Sequence, residues 1–364
     1  MIFNLVKNET DLGELHKLTE SFFAQLDSVV SFDEIVFPEW YGPVFGTTDL
    51  NAKLKQLFDA YKKLPVKEQK EVVTAISNTN KVSDLCENNS VLSAIRLKKF
   101  PEKFQLPLKE LFVYLWENAL PFHKFQAHFS TGLSDYIDEF IAGNGDIEVC
   151  PFCALESFYN LPGQSRVEID HWLCKKQYPH LAVNFDNLVP IGHYCNPFPV
   201  KGDKDVLASV NKRQRAYYPY CKHDGISVVF NFLNEPTLTN EIKKGDWELV
   251  IKANNPKDKD LVESWKNIFN IQQRYEGVIS DNVFKLWENK YVKRFPEPAN
   301  NTEVFRSNLL KFKETFDRKE QPLTLMYWAF LDYLIERASE RYLEGLRCNF
   351  ECLAESEKKL KGSH

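Results

Sequence analysis

Four short stretches in the middle of the chain decide how it reads: Cys150-Pro-Phe-Cys153, Arg166-Val-Glu-Ile-Asp170-His171, Asn187-Leu-Val-Pro-Ile191 and His193-Tyr-Cys195-Asn196-Pro197. Two thiols at C-x-x-C spacing bind one Zn²⁺ from a tight knuckle and make half of a four-ligand site. The same spacing serves a redox dithiol, which needs a strand before it and a helix after it. Here a Gly143-Asn-Gly145 turn comes first and Asn160-Leu-Pro-Gly163 breaks the chain soon after the second thiol, so zinc is favoured. Val167 and Ile169 alternate with polar residues, as on a strand that delivers Asp170 and His171 at its end. A carboxylate beside a neutral imidazole supplies a hard oxygen ligand for Mg²⁺ and a base that titrates near neutrality. Asn187–Ile191 reads as a second short strand. Cys195 can return to the zinc, while Asn196 and Pro197 suit the cap and first position of a helix.

Outward from this centre the pattern is helical. Leu12, Leu15, Leu18, Phe22 and Leu26 recur at three- and four-residue steps, as do Leu54, Leu57, Phe58 and Tyr61. Pro65 opens a run with Val72, Val73 and Ile76, and Leu108, Leu111, Phe112, Tyr114 and Leu115 mark a further helix. Beyond the centre, Ile226–Phe232 and Trp247–Ala253 read as strands, with Gly245-Asp246 as a turn before the second. Helices then resume around Trp265, Ile268 and Phe269 and through Val304, Leu309 and Phe312. One last helix is expected from Pro322 to Tyr342. The expected organisation is a helical region 1–145, a central unit 146–225 and a C-terminal region 226–364 of hairpin and helices. His123 and His128, the Cys348/Cys352 pair and Cys174 read as packing residues.

The chain has 364 residues, 43% hydrophobic and 27% charged, which excludes disorder, collagen and a disulfide miniprotein. The opening MIFNLVKNETDL lacks the basic and apolar regions of a signal peptide, and no window approaches the ~18 apolar residues of a spanning helix. A cytoplasmic protein with no membrane partner is expected, its eight cysteines serving as thiols or metal ligands. Net charge is −5, yet Arg166–Lys222 carries nine basic against five acidic side chains, so the centre is electropositive. Lys175, Lys176, Lys212, Arg213 and Arg215 are the residues there that can grip phosphates.

The order and spacing of the four stretches over about residues 147–205 resemble the HNH, or ββα-metal, endonuclease family. The run Lys175-Lys-Gln-Tyr-Pro-His-Leu-Ala-Val183 is similar to the branch that includes nuclease subunits of anti-phage, Septu-type systems. The resemblance implies an α+β fold: a ββα-metal core with a zinc knuckle, flanked by mostly helical regions and a short hairpin. It implies metal-dependent hydrolysis of phosphodiester bonds in DNA or RNA, with His171 as general base. Asp170 and Asn196 would hold Mg²⁺ or Mn²⁺, and Asn187 would bond the loop backbone and aim His171. Cys150, Cys153 and Cys195 would hold structural Zn²⁺. The family's further cysteine falls on Gly192, so His193 is the expected fourth ligand, with Cys221 and His223 slightly further along. No P-loop is present, and an ATPase partner is implied by the same branch. The competing reading is a zinc-stabilised nucleic-acid-binding or scaffold protein with an inactive site.

Overall fold

The predicted apolar stripes become packed helices. A computed structural model describes residues 3–88, 91–209, 212–236, 246–280 and 283–361. Its first half holds α1 (Glu14–Gln25), α2 (Tyr41–Phe45), α3 (Leu50–Lys62), α4 (Val66–Thr79), α5 (Val82–Cys86), α6 (Glu102–Tyr114), α7 (His123–Phe129) and α8 (Leu133–Gly143). Leu15, Leu18 and Phe22 of α1, Leu54, Leu57 and Tyr61 of α3, and Leu108 and Phe112 of α6 meet in one core. Pro65 stands immediately before α4, where its fixed φ and missing N–H cost nothing. A π-helical turn, Leu115–Ala119, continues α6 and carries Trp116 toward the centre of the molecule.

Three two-stranded antiparallel sheets come next. The first pairs β1 (Val167–His171) with β2 (Leu188–Gly192), Asp170 opposite Val189 and His171 opposite Leu188. Pro190 fits because both strands of a two-stranded sheet are edges. β3 (Ala208–Ser209) pairs with β4 (Lys212–Arg213), and β5 (Ile226–Phe232) with β6 (Trp247–Ala253). Gly245 of the expected turn lies outside the described residues. The C-terminal helices are α9 (Lys259–Phe269), α10 (Ile271–Ser280), α11 (Val283–Arg294), α12 (Thr302–Lys313), α13 (Thr324–Glu336) and α14 (Glu340–Lys361). The chain is thus a mixed helix-and-sheet, α+β structure, and no helix among the described residues is long and apolar enough to cross a membrane.

Two expectations need correction. The helix expected from Pro322 to Tyr342 is broken, because Ser339 caps a new one: its hydroxyl accepts the Tyr342 N–H at 3.2 Å. The helix expected after Asn196 is absent, and turns fill 193–203 instead. Pro199 is the reason: its ring steers Phe198, the residue before it, away from helical backbone.

Adjacent strand residues face opposite ways, and β2 uses this to join two cores. Leu188 packs with Ala182, Val183 and Phe185 in the N-terminal core. Val189 and Ile191 pack in a second core that also takes Cys150, Cys153, Trp172, Trp265 and the C-terminal helices. Residues of the expected unit 146–225 therefore divide between two cores, one of them shared with the C-terminal region. Trp265 Nε1 donates to Phe152 O at 2.9 Å and Tyr275 Oη to Cys153 O at 2.8 Å, fastening α9 and α10 to the cysteine knuckle.

Folding holds two histidines outside the centre in neutral form, His180 fully buried and His223 partly so. His180 has no hydrogen-bond partner on either ring nitrogen, and burial pulls its pKa down to about 3. Burial likewise lowers His223 to about 4, where its Nδ1 accepts the Gly225 N–H at 3.0 Å. The unfolded chain, with histidines near 6.5, binds these protons first. Stability is therefore complete above that pH and falls as pH drops from about 6.5 toward 4, by up to ~1.4 kcal/mol per pH unit for the fully buried His180 and by less for the partly exposed His223. Urea midpoints measured from pH 7.5 downward should show this fall, and His180→Leu should flatten it.

Candidate functional site

Cys150, Cys153, Cys195 and Glu156 present three sulfurs and a carboxylate oxygen, all within 4.8 Å of one another and all buried. The knuckle is a tight turn in which Ala154 N–H returns to Cys150 O at 2.8 Å. Leu155 N–H points at Cys153 Sγ at 3.4 Å, and Cys150 and Cys195 Sγ stand 3.7 Å apart. Burial pushes the Cys150 and Cys195 thiols and the Glu156 carboxyl up, so a cation must displace protons to bind. The donor set fits zinc: four groups, three of them sulfur, in a closed pocket suited to a structural ion. Four ionised donors around Zn²⁺ leave a double negative charge. Arg274 of α10 offsets part of it, its Nη1 lying 3.2 Å from Cys195 Sγ. Although burial disfavours its charge, the Cys195 and Cys153 sulfurs hold that guanidinium above the ordinary arginine range.

The fourth donor corrects the expectation. His193 lies outside the cluster, half-exposed, with Nδ1–H donated to Glu168 Oε1. Cys221 and His223 also stand elsewhere, Cys221 beside Glu87 and His223 beside Phe3. Glu156 fills the place instead, and Gly192 is the reason: a Cβ at 192 would sit 2.4 Å from Glu156 Oε1 and 2.9 Å from Cys150 Cβ. The carboxylate occupies the space of the side chain missing at 192. It is steadied by the Tyr194 N–H, which donates to Oε2 at 2.9 Å.

Beside this centre, β1 ends in Asp170 and His171, each only 7% exposed. His171 Nε2 lies 3.0 Å from Ala182 O. A carbonyl only accepts, so Nε2 carries the proton and Nδ1 the lone pair. Burial holds this imidazole down to about 3, so it is neutral throughout the physiological range. The Trp116 ring meets it edge-on at 4.4 Å, and Lys175 Nζ lies 5.7 Å from that indole. Asn187 is fully buried behind the strand. Its Oδ1 accepts Leu173 N–H at 2.7 Å and its Nδ2 donates to Leu173 O at 3.1 Å, closing the loop after His171.

Asp170 and Asn196, the implied holders of a divalent ion, have protein partners. Lys201, wholly buried, places Nζ 2.7 Å from Asp170 Oδ2 and 2.8 Å from His171 O. Burial raises the Asp170 carboxyl and the Lys201 charge opposes that rise. Asn196 Nδ2 donates to Glu168 Oε2. As arranged, the two do not form an ion site; Lys201 and Glu168 would have to let go first.

The expected phosphate-gripping residues are mostly tied into the fold. Lys176 pairs with Asp203 at 2.8 Å, and Lys175 lies 3.7 Å from Glu117. Arg213 donates to Leu85 O and to Asn88 Oδ1, fastening β4 to α5. Arg215 pairs with Glu87 at 2.7 Å and donates to Lys257 O at 3.0 Å. The Lys212 side chain lies outside the described residues. Sequence reading missed Glu156, Glu168, Lys201, Arg274 and Trp116. Only Glu156, three residues after Cys153, carried a usable signal once Gly192 had left a ligand missing.

Comparison with protein-family models, curated proteins and solved structures finds no match. The functional reading therefore rests on the geometry. Gly192→Ala should cost about 1–3 kcal/mol through overpacking against Glu156. The loss should shrink in a Glu156→Gly background, giving a measurable coupling in a double-mutant cycle. Glu156→Ala alone should weaken zinc retention against a chelator, and adding Gly192→Cys to it should restore retention.

Proposed function

We propose that this chain is an HNH-type endonuclease that hydrolyses phosphodiester bonds of nucleic acid, acting in anti-phage defence. The observation that carries the reading is His171. It stands at the end of a two-stranded hairpin with its tautomer fixed by Ala182 O. The loop behind it is clamped by the Asn187 amide, and a buried Cys₃Glu centre lies alongside. Four stretches that look unrelated in the sequence meet in one place, with the lone pair of Nδ1 available to take a proton from water. The anionic phosphate of a bound substrate would raise the basicity of this imidazole from its depressed value. Electron pairs then move from water oxygen to phosphorus and from phosphorus to the departing oxygen, while the water proton passes to Nδ1. A divalent cation such as Mg²⁺ or Mn²⁺, once bound, would supply charge neutralisation at the phosphate. The Cys₃Glu centre has no open position for substrate and keeps a structural role.

One observation favours the other reading, a zinc-stabilised binding or scaffold protein with an inactive site: the Lys201 ammonium stands on Asp170, where the resemblance implies a divalent ion. The two readings separate in a cleavage assay on plasmid DNA and on RNA with Mg²⁺ or Mn²⁺. Under the nuclease reading the unmodified chain cleaves. His171→Ala loses about 10²–10⁴-fold in rate, the size of a general-base contribution, and its residual rate climbs with pH as hydroxide replaces the base. Asp170→Ala shifts the metal-ion dependence to higher concentration, and Asn187→Ala slows cleavage less than His171→Ala does. Equal rates for the unmodified and His171→Ala proteins would return the site to the scaffold reading.

A further inference from the structure

Isolated apolar side chains on a surface are ordinary. Phe198 is different because it is a large aromatic ring exposed on a loop tied down at several points. It is 84% exposed, and Tyr194 on the same loop is 56% exposed. That loop begins at the buried centre, where Cys195 is a donor. His193 and Asn196 both hang on the Glu168 carboxylate. Lys201 anchors the far end to Asp170 and His171 O. Within the loop, Gly202 N–H returns to Asn196 O at 2.8 Å and Val200 N–H to Pro197 O at 3.0 Å. Asn270 Nδ2 adds a bond to Pro199 O at 3.1 Å.

The backbone under Phe198 is closed as well. Gly202 has φ +48°, and a Cβ there would stand 3.2–3.3 Å from Phe198 N, Cα and Cβ, so the chain passes too close beneath to admit a side chain. The companion ring, Tyr194, is paired with a cation: the Arg166 guanidinium lies 5.8 Å from the Tyr194 ring centre and donates to Tyr194 Oη at 3.2 Å.

We propose that Phe198 and Tyr194, both exposed on one tethered loop, form a platform on which unpaired bases stack, with Arg166 beside Tyr194 for the phosphate backbone, and that the chain acts on single-stranded nucleic acid. This deepens the nuclease reading and rests on it for the identity of the ligand as nucleic acid. Every base has a π face, so a rigid exposed ring binds it without sequence preference, and a nearby guanidinium adds cation–π and phosphate attraction. In a duplex those faces are already stacked on neighbours, so the platform gains nothing from paired DNA. The loop that carries Phe198 is pinned to Asp170 through Lys201. Lys201 also bonds the His171 carbonyl, so the loop and the end of β1 are tied together.

The test measures binding by the full, zinc-containing chain in a His171→Ala background. The probes are short mixed-sequence DNA and RNA single strands, with 2-aminopurine as the reporter base, and the matching DNA duplex. Single strands should bind more tightly than the duplex and quench 2-aminopurine fluorescence. Phe198→Ala should weaken single-strand binding by about 5- to 150-fold, the range for loss of one base–aromatic stack, and remove the quenching. Phe198→Trp should retain both. Zinc content and melting temperature should be unchanged, since the ring is exposed. If Phe198→Ala binds and quenches like its parent while the unmodified chain cleaves nucleic acid, the platform is overturned and the nuclease reading stands. Single strands bound through Phe198 but never cleaved would uphold the platform and overturn the nuclease reading. Absence of binding to every probe would overturn the platform together with the reading beneath it.

Discussion

Three thiols and a carboxylate buried within 4.8 Å of one another repel once ionised and are hard to desolvate, so a cation that they could hold would relieve both costs. The rest of the centre depends on that cluster. Cys150 and Cys153 lie in a knuckle that α9 and α10 grip through Trp265 and Tyr275, whereas Cys195 comes from the loop after β2. A cation held by both would tie the C-terminal helices to the strand pair carrying His171. The irregular stretch 193–203 has no regular hydrogen-bond ladder of its own. It is fixed by what it is tied to: the sulfur cluster at Cys195, Glu168 at His193 and Asn196, and Asp170 at Lys201.

A second buried charge pair shapes the chemistry. Lys201 and Asp170 are nearly free of solvent, and each would be strongly destabilising without the other. Pairing sets a buried carboxylate next to His171 with one of its oxygens occupied by Lys201. The site is thereby held ready but closed. Trp116 adds to the closure by covering the His171 ring, and it does so from a π-helical turn, a distortion that recurs at functional sites.

Much of the fold was legible because its signals are local. Ile226–Phe232 and Trp247–Ala253 were read with the bounds they have, since alternation of apolar residues survives any packing partner. Asp170 and His171 stand at a strand end as expected, for the same reason, whereas Asn187, expected as the first residue of the next strand, stands immediately before it. What failed was non-local. Glu156 belongs to the sulfur cluster only because Gly192, far along the chain, leaves a hole there. Lys201 reads as one more surface lysine until the turns after Cys195 carry it under Asp170. Arg213 and Arg215 look like phosphate grips in sequence, yet Arg213 is tied to α5 and Asn88 and Arg215 to Glu87, all more than a hundred positions upstream, with Arg215 also bonded to Lys257 O. The expected helix after Asn196 yielded to Pro199, whose ring constraint outweighs a favourable cap.

The most direct test of this account is X-ray absorption at the zinc edge on protein purified without chelator. The expected result is one zinc per chain with three sulfur neighbours near 2.3 Å and one oxygen near 2.0–2.2 Å, the distances usual for thiolate and carboxylate ligands. Glu156→Ala should change the oxygen shell and His193→Ala should leave the spectrum as it was. Absence of zinc, or a light-atom shell lost with His193 and indifferent to Glu156, would contradict the assignment of the centre on which the rest is built.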